Sequence, residues 1–202
     1  MVDNTTIQQE NKAAAEKIEI LKNAIQIQVE PLVPVTDPIL NKPLTNCSPD
    51  LDRKDIFRKL NNAMVHYKGI GLSANQVGIN ERVFVMYSDI KKKDVIACFD
   101  PIITDYSEET IIMDEGCLTW PGLLLKVERP EGFRCVYYDV DNKLVQVEMH
   151  GLEARIFQHE YDHMEGSNFT EKVSKLKLDR AKKRIAKQLK KVNRINELGP
   201  RP

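Results

Sequence analysis

The sequence lacks most features that mark a secreted, membrane-bound or fibrous protein. Its 202 residues hold four cysteines, Cys47, Cys98, Cys117 and Cys135, with no CxxC pair, which is too sparse for a disulfide scaffold and suits a reducing compartment. No apolar run is long enough to cross a bilayer. Residues 1–12 contain Asp3 and Glu10 and no apolar block, so neither a signal peptide nor a basic transit peptide is expected. The expected compartment is the cytoplasm. No GxGxxG opens a helix and no Gly-Lys-Ser/Thr follows a glycine loop, which removes the common phosphate-binding motifs. Nothing points to DNA or to a membrane as a partner, and there is no internal repeat. A composition of 42% hydrophobic and 30% charged residues describes one globular domain, long enough to bury a core without cross-links.

Zero net charge conceals an asymmetry. Residues 1–171 hold 18 Lys+Arg against 28 Asp+Glu, whereas residues 172–202 hold 12 against 2. Three segments are expected: an N-terminal extension over 1–30, frayed helix or disordered, with a weak pattern of Ile7, Ala14, Ile18 and Leu21; a body over 31–171; and a basic helix and tail over 172–202. Pro31, Pro34, Pro38 and Pro43 predict extended chain. Helical spacing of Ile56, Leu60, Met64 and Tyr67 predicts a helix over 52–68, with Ser48 and Asp50 available as caps and Gly69 as its stop. Strands are expected over 82–87, 95–104, 133–140 and 144–149, the last two joined by a hairpin at Asp141-Asn142. Further helices are expected over 152–164, ended by Gly166, and over 175–193, with Leu178, Ile185, Leu189 and Val192 on one side. The class is α+β.

The strongest chemical signal is His159-Glu160-Tyr161-Asp162-His163, an HExxH element within the 152–164 helix. Residues four apart share a helix face, so both imidazoles reach one metal ion and Glu160 sits where it touches a metal-bound water. A chance match on a solvated face is the bland alternative, and the apolar surroundings speak against it. A hydrolytic metal takes three protein ligands and one open position. The metzincin pattern fails, because Phe169 stands where its third histidine belongs. Glu165 and Glu171 are weak candidates, and Cys117 in Glu115-Gly116-Cys117-Leu118-Thr119 is another. Cys47, Cys98 and Cys135 read as small buried hydrophobes. The third segment is a glycine-framed loop with a side-chain amide, Gly71-Leu72-Ser73-Ala74-Asn75-Gln76-Val77-Gly78.

These three segments, in this order, resemble the three motifs of the peptide deformylase family, of the bacterial or bacteriophage type. The resemblance covers residues 33–193, including Trp120-Pro121-Gly122, Lys126-Val127-Glu128-Arg129-Pro130 and Gln158. Ser73 replaces a usual alanine and Thr119 a usual serine. The resemblance implies small antiparallel sheets packed around a central HExxH helix, with a C-terminal basic helix. It implies a metal-dependent hydrolase that removes the N-formyl group from formyl-methionyl nascent peptides and releases formate. Cys117, His159 and His163 would hold one divalent ion, Fe(II) by the family's habit, with nickel or cobalt also effective. By itself the Cys-His-His set points rather to zinc.

Glu160 would be the general base, and Gln76 and the Leu118 backbone N–H the oxyanion donors. Ile70, Leu118, Leu152 and Ile156 would wall the methionine slot, and Gly71 would let the substrate backbone approach. Arg155 and Asp162 read equally as supports of the ligands or as surface charges, and Trp120 as packing. The basic helix reads as a solvated face that offsets the acidic body, or as a ribosome-docking element. The rival functions are an HExxH metallopeptidase and a catalytically silent, metal-binding, ribosome-associated protein.

Overall fold

The computed structural model describes residues 29–198; the N-terminal extension expected over 1–30, frayed helix or disordered, lies outside them up to residue 28. From Val29 the chain runs extended through its prolines, broken by a 3-10 turn at Pro38–Asn41. It is tied to the body by Val33 N donating to Gln76 O (2.9 Å) and Leu44 N to Met164 O (2.8 Å). Helix α1 (Arg53–His66) buries Ile56, Leu60, Ala63 and Met64. Its cap is Asp52, which accepts from Asp55 N at 3.0 Å, and not Ser48, whose hydroxyl donates to Glu81 (2.9 Å). The left-handed residue beyond the helix is Lys68 (φ 59°) rather than Gly69. Glycine at position 69 gives room, since a Cβ there would lie 2.9 Å from Leu118 Cδ1 and 3.1 Å from the Gly71 carbonyl oxygen.

Seven strands follow: β1 (Gly71–Ser73), β2 (Val83–Asp89), β3 (Asp94–Tyr106), β4 (Thr110–Cys117), β5 (Trp120–Pro130), β6 (Gly132–Tyr138) and β7 (Leu144–His150). Five form an antiparallel sheet in the order β1-β2-β3-β6-β7, and β4 with β5 forms a separate two-stranded hairpin. The expected strands correspond to β2, β3, β6 and β7, and the expected turn is present, with Asn142 at φ 61°. The β4–β5 hairpin was not expected. Its alternation is legible in β5, where Leu123, Leu125, Val127 and Arg129 are buried between exposed neighbours, but a charged residue closes the series and Trp120-Pro121-Gly122 opens it unlike a strand.

Helix α2 (Gly151–Met164) carries the HExxH element. It packs on the large sheet through Phe157, edge-on to Phe84 at 4.9 Å and tilted against Phe133 at 4.7 Å. Its opposite side faces the hairpin, so the helix is central and the architecture is the α+β arrangement expected. Helix α3 (Lys175–Leu198) lays Leu178, Ala181 and Ile185 on Leu123, Leu125 and Val127 of β5, with Phe169 between them. Leu189 stands in solvent beyond that contact. Among the described residues no helix is long and apolar enough to cross a membrane.

Candidate active site

Three elements converge at one point. Helix α2 presents His159, Glu160 and His163; the tight turn between β4 and β5 presents Cys117, Leu118 and Thr119; the 3-10 turn after β1, Ala74–Val77, presents Gln76. One donor atom from each of Cys117, His159 and His163 lies within 4.8 Å of the other two. Cys117 Sγ is 3.2 Å from His163 Nε2. His159 turns Nδ1 to Glu115 Oε2 at 3.0 Å, which leaves Nε2 for the cluster. Neither Glu165 nor Glu171 joins: Glu165 pairs with Arg82 and Glu171 accepts from Asn168. Phe169 is buried and packs against His159, ring centroids 5.5 Å apart.

Glu115 organises the charge behind the cluster. Its carboxylate accepts from Arg129 Nε (2.6 Å), Arg129 Nη2 (2.9 Å) and Arg155 Nη1 (2.8 Å), and Arg129 Nη1 donates on to Asp162 at 2.7 Å. Burial alone would raise the Glu115 carboxyl, but the bonds from Arg129 and His159 hold it well below the usual range. Burial alone would lower His159, yet Cys117 and Glu115 raise it to about 10. A thiol and two imidazoles gathered this closely, with a buried carboxylate behind one ring, are a donor set that fits a divalent cation. His163 moves down, through burial and the positive charge of its neighbours, toward the neutral form that ligates. Arg155 and Asp162, which the sequence left between two readings, are both supports. Glu115 and Arg129 were quoted in the sequence only as motif members; their partnership spans the hairpin and is invisible along the chain.

Glu160 is buried and pushed up to about 7, first by burial. Its Oε2 has no hydrogen-bond partner among the described residues, so a proton acceptor is free in the site. Gln76 Oε1 accepts from Ser73 N at 2.8 Å. That orients the amide, with Nε2 at 3.1 Å from Thr119 Oγ1 and 3.4 Å from Cys117 Sγ. Gly71 has a reason the sequence did not show: a Cβ there would lie 2.5 Å from Glu160 Oε1. Beside these groups opens a cavity of about 740 Å³ lined by Ile70, Gly71, Leu118, Leu152 and Ile156, so the residues expected to wall the slot are brought together. Cys98 and Cys135 are buried in the core and Cys47 is half-buried, away from the cluster.

A sequence model of the family described as Polypeptide deformylase matches residues 29–179. The chain belongs to the peptide deformylase family. Members of this family are enzymes that remove N-formyl groups from nascent peptides. A peptide deformylase of Thermotoga neapolitana is 37% identical over 152 residues, covering 74% of this chain and 90% of the relative. The crystal structure of a peptide deformylase from Synechococcus elongatus in complex with actinonin superposes with a TM-score of 0.74 at 30% identity, covering 80% of this chain and 90% of that one. The Met-Ala-Ser-bound class I type b peptide deformylase of Acinetobacter baumannii superposes with a TM-score of 0.68 at 26% identity, over 73% of this chain and 100% of its own. All three motif segments contribute residues to the lining of one cavity, Gly71 and Gln76, Cys117 and Leu118, and His159 and Glu160.

Proposed function

We propose that this chain removes the formyl group from peptides beginning with formyl-methionine and releases formate. The observation that carries the reading is the cavity, whose apolar walls end on Cys117, His159 and Glu160: a side chain of methionine size is seated where its formyl-amide meets the reactive groups. The Met-Ala-Ser peptide bound to the Acinetobacter relative is of the kind such a reaction leaves behind. Cys117, His159 and His163 would hold one divalent ion, and Fe(II) is the ion proposed, with nickel, cobalt or zinc able to occupy the same donors. When bound, the ion supplies Lewis acidity that brings a water molecule's pKa toward neutrality.

Glu160 takes a proton at its unpartnered Oε2 and returns it to the departing amine. Its burial keeps that carboxylate reactive by denying it other donors. Gln76 Nε2, aimed by the bond that Ser73 N makes to its Oε1, and the Leu118 backbone N–H donate to the oxyanion; removing one such donor costs about 10²–10³ in rate. Ile70, Leu118, Leu152 and Ile156 take the methionine side chain out of water. Cys117 as a ligand separates this set from the metzincin pattern and disfavours a general metallopeptidase. The presence of both Glu160 and Gln76 disfavours a silent relative.

The basic helix supports docking to ribosomal RNA: α3 turns its apolar side to β5 and leaves Lys182, Lys183, Lys187 and Lys190 exposed. The substrate assignment is tested by formate release from a formyl-Met tripeptide against its acetylated twin. Release from the first alone is expected, and equal hydrolysis of both, or cleavage at an internal bond, would contradict it.

A further inference from the structure

The two histidines of the cluster are held in different ways. His159 gives Nδ1 to a buried carboxylate, Glu115, at 3.0 Å, the kind of partner that fixes the orientation of a ligating ring. His163 turns Nε2 toward Cys117, and its Nδ1, fully buried, meets no hydrogen-bond partner among the described residues. Apart from the Cys117 contact at Nε2, no polar contact sets the rotation of this ring among the described residues, and the Cβ–Cγ torsion of a histidine is broad when little restrains it.

Two rings lie against that of His163: His159, edge-on with centroids 5.2 Å apart, which is itself a member of the cluster, and Trp120. The indole and the imidazole are stacked, 21° from parallel with centroids 6.2 Å apart. The indole has a firm backing, because Phe169, 1% exposed, meets it edge-on at 5.9 Å. It is also joined to the thiol: Trp120 is the register partner of Cys117 across the turn that closes β4 and β5. One side chain thus links the turn that carries Cys117 to the helix that carries His163.

We infer that Trp120 is a positioning residue, whose indole face sets the plane of His163 by stacking, in place of the hydrogen bond this ring lacks, and so aims Nε2 into the cluster. The inference rests on reading Cys117, His159 and His163 as metal ligands. Two consequences follow from the chemistry. A flat aromatic replacement keeps the restraint, whereas an aliphatic one of sufficient bulk fills the space without setting a plane. The effect also belongs to the metal-binding step, because the ring contacts of Trp120 are with His163 and Phe169, and among the described residues no hydrogen bond joins it to Glu160 or Gln76.

The experiment uses the full chain, stripped and reloaded with Co(II), as wild type and as Trp120→Phe, Trp120→Leu and Trp120→Ala. It reads the ligand-field and thiolate charge-transfer absorption bands and the rate of Co(II) loss to a chelator. Trp120→Phe should keep the wild-type bands and lose metal within about threefold of the wild-type rate, while Trp120→Leu should show displaced or broadened bands and loss faster by about tenfold or more. Trp120→Ala should resemble the leucine variant; if it does not fold, the phenylalanine and leucine pair decides alone. Wild-type bands and rate in Trp120→Leu would overturn the inference, as would a phenylalanine variant as impaired as the leucine one. Failure of the wild-type chain to bind Co(II) at all would instead overturn the ligand reading, and this inference with it.

Discussion

At the scale of single residues, the site depends on who occupies the space beside Gly71. The family resemblance gives that space to the substrate backbone; in the fold Glu160 borders it as well, and its Oε1 would lie 2.5 Å from an added Cβ. Glu160 sits on a packed helix and is itself 4% exposed, so the carboxylate has to tilt away if a methyl group arrives. Gly71→Ala should therefore keep its metal and lose turnover by about 10²-fold, the scale expected for an ångström of misplacement. Metal content by elemental analysis, measured beside kcat, checks this, and a variant that turns over normally would show that Glu160 is not confined there. That His159 and His163 share one place was legible, because HExxH brings its histidines to one helix face, whereas Cys117 came to them only through the family resemblance. The reason for Gly71 was not, since nothing within the loop reveals that α2 lies behind it.

At the scale of elements, the β4–β5 hairpin carries more than Cys117. Glu115 holds Arg129 and Arg155 inside the protein, with side chains 3%, 4% and 4% exposed respectively. Glu115→Gln removes the charge that pairs both guanidinium groups and should destabilise the fold by about 3–5 kcal/mol, the usual cost of breaking a buried ion pair on one side. Urea unfolding of the metal-free chain measures it, and a loss below 1 kcal/mol, roughly that of a surface pair, would refute the role. Hydrophobic alternation marks only half of this hairpin, since its other buried positions are charges that a search for apolar periodicity passes over. The start of α2 shows a pH dependence instead. His150 is exposed and raised above its usual value, first by its bond to Glu131 and then by that to Glu148, with Arg134 bound to Glu148 beside it. A raised folded-state pKa contributes stability that is complete below about pH 6.5 and is lost as pH rises through the folded value. The difference in Tm between wild type and His150→Gln should accordingly shrink as pH rises above about 6.5; a constant difference would contradict the assignment.

At the scale of the whole molecule, charge and packing divide the labour of the C-terminal helix. Composition showed a basic segment, but only the fold shows that Leu178, Ala181 and Ile185 cover the hairpin, so deleting the helix would uncover a core and confound any test of docking. Replacing Lys182, Lys183 and Lys187 by Glu leaves that core intact. If these lysines meet RNA phosphates, ribosome co-sedimentation should weaken and the slope of log K against log salt should fall by about one per lysine lost, with formate release from short peptides unchanged. Equal co-sedimentation at matched salt would leave the helix a solvated face that offsets an acidic body. The central claim is that one buried carboxylate performs the proton transfers beside a metal held by Cys117, His159 and His163. Its most direct test is formate release from a formyl-Met tripeptide by anaerobically metal-loaded protein, wild type against Glu160→Ala. The account predicts formate from the wild type and none above background from the variant, with equal bound metal in both; turnover that survives in Glu160→Ala, or a metal-loaded wild type that releases no formate, would contradict it.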